Sequence, residues 1–455
     1  VWTFIYKHDL ENFLNKYPQL AEIFNDIALY DMEDRIYFPR LFYKNYPECL
    51  DVFRGSKQHE FQRVNFKFTQ KLRANQIPIV NYLLSYYQKN NNQINGIAKM
   101  PPGTGKTVMA IYLASKIGLK TMVIVDNDNL LKQWVKAFLD FTDLTEEDIG
   151  IIKQKFFVTD TPVTVALVQT LLSRIKQDLS RNFSLIDKAE YGLVIYDEVH
   201  ATSSAPKFAK ASLLFRTQNI LGLSATPFQT GTAEILMKNT IGDIIFETKD
   251  YDMKPKYVLN YYDSGLTSKY SYALSRQPDY IKRKAFYNSI IVKSKEYYNL
   301  IVNLVKKRLE EGHVIMILCF TKEQVKTISE RLTVEGVENR RFYGDEKEDV
   351  DKDNVKVLIV TYAYAGKGFD FKQLSSLILA VNLAGKKSLI QVIGRILRKH
   401  DEKLSPVVDD LIDLAFTSIF IPDTKVKIKI IKDEFHCDIN HCVHGDITYN
   451  FSELK

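Results

Sequence analysis

Cysteine is scarce in this chain. Cys49, Cys319, Cys437 and Cys442 are the only four among 455 residues, too few and too scattered for a disulfide framework. A small secreted scaffold is thereby excluded, and a reducing, cytoplasmic compartment is expected. Long apolar runs are also missing. None reaches the ~18 residues of a membrane span and no signal peptide is visible, so no membrane partner is expected. Short-period repeats and low-complexity tracts are absent, which removes solenoids and disordered linkers. Charge of one sign is nearly balanced by the other, for a formal net of +7. The excess sits in one place: nine basic residues against two acidic ones between Arg276 and Arg308. Such a stretch reads as a phosphate-backbone footprint or as a solvated helix face.

What is present is enough apolar material, 45% of residues, to build two or more cores in a chain too long for one. Residues 1–66 are aromatic-rich and irregular, with Tyr-Pro at 17–18 and 46–47, and read as a small accessory unit. Residues 67–247 alternate short apolar runs with helical patterns. INGIAKM (94–100), TMVIVD (121–126), VTVALVQ (163–169), GLVIYDE (192–198) and NILGLSAT (219–226) predict buried strands. TVMAIYLASKIG (107–118) and NLLKQWVKAFLDF (129–141) predict helices between them. That alternation implies an α/β fold with a parallel sheet covered on both faces. The pattern breaks over 248–290, a polar, basic, Tyr-rich stretch read as a linker. It resumes with HVIMILCFT, KVLIVTY and LSSLILAVN in a second α/β domain, 291–421. The tail, 422–455, opens with KVKIKIIK (425–432), whose alternation predicts a half-buried strand.

Two motifs carry chemistry. MPPGTGKT (100–107) lies between a predicted strand and a helix. Gly103 and Gly105 allow the tight turn that points backbone N–H groups at an anion, and the helix start adds its dipole. Lys106 can reach phosphate oxygens and Thr107 can ligate magnesium; Pro102 and Thr104 complete the loop. Met100 stands where the strict phosphate-loop pattern has glycine. The second motif is DEVH, Asp197 to His200, at the end of an apolar strand placed beside the strand of the loop. In nucleotide hydrolases of this architecture a carboxylate there holds magnesium. Asp197 fits that role, and Glu198 can polarise the attacking water.

A third pattern lies in QVIGRILR (391–398). Gln391, Arg395 and Arg398 fall at i, i+4 and i+7 on one helix face, and apolar residues cover most of the rest. A polar stripe on an apolar helix suits arginines that meet a transferring phosphoryl group.

These motifs, in order across residues 68–398, resemble those of superfamily 2 helicases of the D-E-x-H/D group. Within that group the chain is most similar to bacteriophage branch-migration helicases of the UvsW type. The resemblance implies two tandem RecA-like domains preceded by an accessory domain, ATP and magnesium as cofactors, and hydrolysis that requires the second domain. LRANQ (72–76) implies that Gln76 reads adenine. VTYAYAGKGFDF (360–371) implies that Gly368 and Asp370 face ATP. SATP (224–227) implies that Ser224 and Thr226 couple ATP state to strand binding, a role also implied for His200, with Gln391 as its partner. NLLKQW, VQTL and ILCFT imply nucleic-acid contacts. The residues expected to grip the backbone are Asn129, Gln169, Thr170, Thr321 and Thr361, for several of which plain helix capping is the competing reading. The implied substrate is forked, four-way or single-stranded DNA handled by a monomer inside a host cell. RNA remodelling, or nucleotide-dependent duplex binding without translocation, stays open.

FHCDINHCVHG (435–445) clusters cysteine and histidine. The spacing is loose for zinc, and a half-buried hairpin with incidental cysteines is the preferred reading.

Overall fold

The computed structural model describes residues 3–18, 20, 28, 30–31, 34–47, 54–55, 61–173, 189–199, 209–215, 217, 219–227, 232–251, 253–277, 280–343, 355–365, 371, 373–398 and 403–447. The chain divides into two compact units, one of residues 1–101 and 105–248, the other of 249–455 with 102–104.

In the first unit the N-terminal stretch is not irregular. It forms an antiparallel sheet of β1 (Thr3–Tyr6), β2 (Tyr30–Asp31), β3 (Arg35–Phe38) and β4 (Arg54–Gly55) in the order β2-β3-β1-β4. Ile5, Phe13, Ile36, Phe38 and Phe42 form its own small core. The alternate face carries Tyr37, which packs against Leu213 and Leu236, and the Arg40 guanidinium donates to the Asn95 side chain and the Thr217 carbonyl. Residues 61–66 already belong to the larger body, since Phe66 lies in its core and Val64 N–H bonds Gly118 at 3.1 Å.

That body is an eight-stranded sheet, β12-β5-β11-β10-β6-β9-β7-β8. Its strands are β5 (Asn95–Lys99), β6 (Thr121–Val125), β7 (Ile149–Lys153), β8 (Phe156–Phe157), β9 (Val163–Leu167), β10 (Leu193–Asp197), β11 (Ile220–Ser224) and β12 (Ile244–Glu247). Only β8 runs antiparallel to its neighbour. Every residue of β6, β10 and β11 is buried, as strands covered on both faces must be. The five expected strands all form. One adjacency differs from expectation: β10, which ends in Asp197, is not beside β5. β11 lies between them, pairing with both.

The second unit holds a seven-stranded, wholly parallel sheet, β15-β16-β14-β17-β18-β13-β19. Its strands are β13 (Lys256–Tyr262), β14 (Ile315–Cys319), β15 (Arg340–Phe342), β16 (Val357–Thr361), β17 (Ser376–Leu379), β18 (Val407–Asp413) and β19 (Ile439–Val443). The stretch 248–290 is therefore no linker, because it contributes β13, a strand paired on both sides. β18 explains why β13 looked polar. All seven residues of VVDDLID are buried, and buried carboxylates need partners. Arg308 forks onto Asp409 with two bonds of 2.8 Å. Lys427 reaches both oxygens of Asp410 at 2.9 and 2.7 Å, and the Tyr257 hydroxyl donates to it at 2.8 Å. Asp413 accepts from Tyr287 Oη at 3.0 Å and from the Ser264 and Ala415 N–H groups. Tyrosine and lysine here are core residues.

The same network corrects the reading of KVKIKIIK. Residues Thr417–Phe435 are one helix, so the boundary expected after 421 falls inside it. Phe420, Thr424, Lys427 and Ile431 face inward at helical spacing. Lys427 takes a core position because Asp410 meets its charge; Lys425 and Lys429 are exposed. The Cys/His tail is likewise no hairpin. β19 adds in parallel to β13 at the sheet edge, with His441 Nδ1 2.9 Å from the Tyr261 hydroxyl and His444 Nε2 2.9 Å from Asn260 Oδ1. Among the described residues no group of three or more His, Cys, Asp or Glu is arranged to hold a metal, and no helix is long and apolar enough to cross a membrane.

Candidate active site

Parallel strands deliver their ends to one edge. In the first unit the register sets Ser224 opposite Lys99 and Asp197 opposite Leu223. The loop after β5, the carboxylate that ends β10 and the hydroxyl that ends β11 therefore share the C-terminal edge, where ligands of open α/β sheets bind.

The loop is shaped for an anion. Gly103 and Gly105 have φ of +87° and +84°, in the left-handed region that favours glycine. Gly105 caps the helix Lys106–Ile117, so its first N–H groups open onto the loop. Thr104 is buried, while Pro102, Lys106 and Thr107 are half-buried. Lys106 Nζ rests 3.3 Å from the carbonyls of Met100 and Pro101, a hold that phosphate oxygens can replace. Gln76, buried at the start of the helix Gln76–Lys89, accepts the Arg73 N–H at 3.0 Å. Its amide lies against the loop: a Cβ at Gly105 would stand 2.2 Å from Gln76 Nε2.

Asp197 is buried and both its oxygens are engaged. Oδ1 accepts the Glu198 N–H at 3.0 Å and Oδ2 accepts the Trp134 indole N–H at 2.7 Å. Burial and then the Glu198 charge push its pKa up to about 6, against the pull of Trp134 and Lys106. Glu198 sits at φ +45°, a conformation costing a non-glycine residue ~1–2 kcal/mol. Two adjacent carboxylates at the strand end make a hard-oxygen donor set, which suits a divalent cation of the magnesium type. Trp134 was not singled out in the sequence, although a buried indole N–H must find an acceptor. Ser224 Oγ, wholly buried, accepts the Thr226 N–H at 3.1 Å. His200 lies outside the described residues.

The expected backbone-gripping residues divide. Asn129 is exposed, and the cap of its helix, Asp128–Phe141, is Asn127, whose side chain accepts from Leu130 N–H. Gln169 is exposed and donates to the Asp126 carbonyl at 2.7 Å. Thr170 is buried, its hydroxyl accepting the Gln154 N–H at 3.0 Å.

In the second unit Thr321 caps the helix Lys322–Val334 in a reciprocal box with Gln324, and Thr361 is buried at the end of β16. On the helix Lys386–Ile396, Leu389, Val392, Ile393 and Ile396 are buried while Gln391 and Arg395 are half-exposed, two of the three residues expected on one helix face. Arg398 follows just past the helix end. Lys403 donates to its carbonyl at 2.7 Å, and burial, then the Arg398 charge, lowers the Lys403 pKa to about 7. Gly368 and Asp370 lie outside the described residues.

Residues 69–229 match the family described as Type III restriction enzyme, res subunit. The helicase 161L of Invertebrate iridescent virus 6 is 28% identical over 386 residues, which cover 78% of this chain and 80% of that protein. The helicase D10 of Escherichia phage T5 is 29% identical over 323 residues, covering 68% of this chain and 66% of its own length. Among solved structures, S. cerevisiae Dbp5 bound to RNA and ADP BeF3 superposes with a TM-score of 0.55 at 15% identity, covering 80% of this chain and 89% of that one. At that identity the likeness speaks for two RecA-like domains and no more. The chain is an ATP-hydrolysing nucleic-acid helicase, and the family match and the viral and phage relatives support superfamily 2.

Proposed function

We propose that this helicase is a DNA motor that unwinds or branch-migrates forked and four-way DNA in viral or phage replication, recombination or repair. The observation that carries the motor is the meeting of Lys106, Asp197 and Ser224 at one sheet edge in a unit followed by a second with the Gln391/Arg395/Arg398 stripe. In this reading Lys106 and the N–H groups of residues 103–107 receive the β- and γ-phosphates, with Pro102 and Thr104 shaping the loop. Gln76 orients the adenine. Thr107 and Asp197 would hold magnesium, which when bound neutralises developing phosphate charge. Glu198 orients the attacking water. Arg395 and Arg398 stabilise the transferring phosphoryl charge, with Gln391, Gly368 and Asp370 as further nucleotide contacts. Because these five belong to the second unit, turnover depends on both. Ser224, Thr226 and His200 relay nucleotide state to the strand-binding residues Asn129, Gln169, Thr170, Thr321 and Thr361.

The basic stretch supports a nucleic-acid contact only in part. Arg308, Lys284 and Lys306 are committed to Asp409, Asp423 and Glu335. Arg276 instead stacks 4.6 Å over Tyr272, itself 68% exposed, and Lys269 and Lys293 flank the Tyr270 ring. An exposed aromatic ring among cations, as Tyr272 is, is a usual platform element for single strands.

The test compares ATPase rates with single-stranded, duplex, forked and four-way DNA and with RNA, alongside strand displacement. Greatest stimulation and remodelling on forked or four-way DNA is expected. Stimulation greatest with RNA would replace the substrate, and turnover without displacement would replace the motor by a duplex-binding module.

A further inference from the structure

The helix Asp128–Phe141 turns Leu131, Trp134 and Phe138 inward. Trp134 is 1% exposed and its ring packs 6.0 Å from that of Phe138. Burial alone could be met by Phe or Leu. What tryptophan adds is one directed N–H, and it is spent on Asp197 Oδ2 at 2.7 Å. With Glu198 N–H on Oδ1, both carboxylate oxygens are oriented. The same helix carries in its first turn Asn129, exposed and assigned above to nucleic acid. Trp134 lies five residues on, a rise of ~7.5 Å along a stiff rod.

We propose that Trp134 is a positioning residue for hydrolysis: its indole N–H fixes the Asp197 carboxylate for magnesium bound with the nucleotide, and its helix transmits nucleic-acid binding to that carboxylate. This rests on the reading of Asp197 given above. A strand that shifts the helix start moves the indole and so reorients the carboxylate. Nucleic-acid stimulation of the ATPase follows from that motion.

The chain contains two tryptophans, Trp2 and Trp134, so a Trp2→Phe chain reports on Trp134 by its own fluorescence. Titrating magnesium at saturating ADP is expected to change that emission; an emission identical with and without magnesium overturns the proposal. In Trp134→Phe the half-saturating magnesium concentration for ATPase is expected to rise about tenfold or more, as befits loss of a hydrogen bond to a charged group. Its ATP KM at saturating magnesium stays within about twofold on the same account, since no phosphate contact is touched, and nucleic-acid stimulation falls. A variant that loses kcat and thermal stability while keeping the wild-type magnesium dependence shows a packing role only and overturns the proposal. If Trp134→Phe does not fold, the emission titration decides. A wild-type chain without ATPase overturns the motor reading instead, and the emission titration still decides this one.

Discussion

Replacing Lys427 by methionine removes a charge and little volume, and the structure sets the cost. Lys427 and Asp410 are both fully buried, joined by contacts of 2.9 and 2.7 Å. Losing one member of such a pair costs ~3–5 kcal/mol, because the other charge stays buried. Asp410 can escape by taking a proton. At pH 7 that costs an ordinary carboxylate ~4 kcal/mol, and at pH 5 only ~1.5 kcal/mol. Burial already pushes Asp410 upward, with Lys427 and Tyr257 opposing; without Lys427 the folded-state pKa rises further. An acid whose folded pKa is raised gains relative stability as pH falls. The Lys427→Met deficit should therefore shrink from ~4 kcal/mol at pH 7 to ~1.5 kcal/mol at pH 5. Urea unfolding of the full chain at both pH values reads it. Lys425→Met and Lys429→Met, on exposed positions of the same helix, should stay within ~0.5 kcal/mol. Adding Asp410→Asn to Lys427→Met should recover ~1–3 kcal/mol as coupling. If all three lysine variants cost alike, the three share one environment, as they would on one strand face, and the buried pair is refuted.

Asp413 offers a second pH test. Burial raises its pKa to about 6, against bonds from Ser264, Ala415 and Tyr287. The folded state therefore gains relative stability as pH falls from about 6 toward the unfolded value near 4. Asp413→Asn should flatten the stability-against-pH slope in that window, seen as a smaller difference in urea midpoint between pH 4.5 and 7; an unchanged slope refutes the assignment. On the surface, Arg276→Glu with Lys293→Glu should weaken nucleic-acid binding and reduce the slope of log K against log salt by about 1.5. Equal slopes by fluorescence anisotropy would remove that face from the contact.

Much of this was legible. Wherever strands are buried on both faces, as β6, β10 and β14 are, an apolar run between turn signals is hard to misread. The glycine loop, DEVH and the Gln391/Arg395/Arg398 stripe stood out because their chemistry demands fixed residue types at fixed spacings. β13 and β18 did not, because their tyrosines and aspartates are satisfied by partners on other elements, as Tyr257 is by Asp410 and Asp409 by Arg308. No local pattern encodes that. Lys427 misled for the same reason: its partner, not its neighbours, makes it a core residue. Trp134 was invisible as a site residue because a tryptophan on the apolar face of a helix reads as packing until its N–H is seen to end on Asp197.

The most direct test of the central claim is nucleic-acid-stimulated ATP turnover in the wild type, Lys106→Ala and Arg395→Ala. The wild type should hydrolyse ATP faster with nucleic acid, and each variant should lose that stimulated rate, Lys106→Ala through the phosphates and Arg395→Ala from the second unit. Stimulated turnover that survives Lys106→Ala would contradict the site, and turnover that survives Arg395→Ala would contradict the dependence on both units.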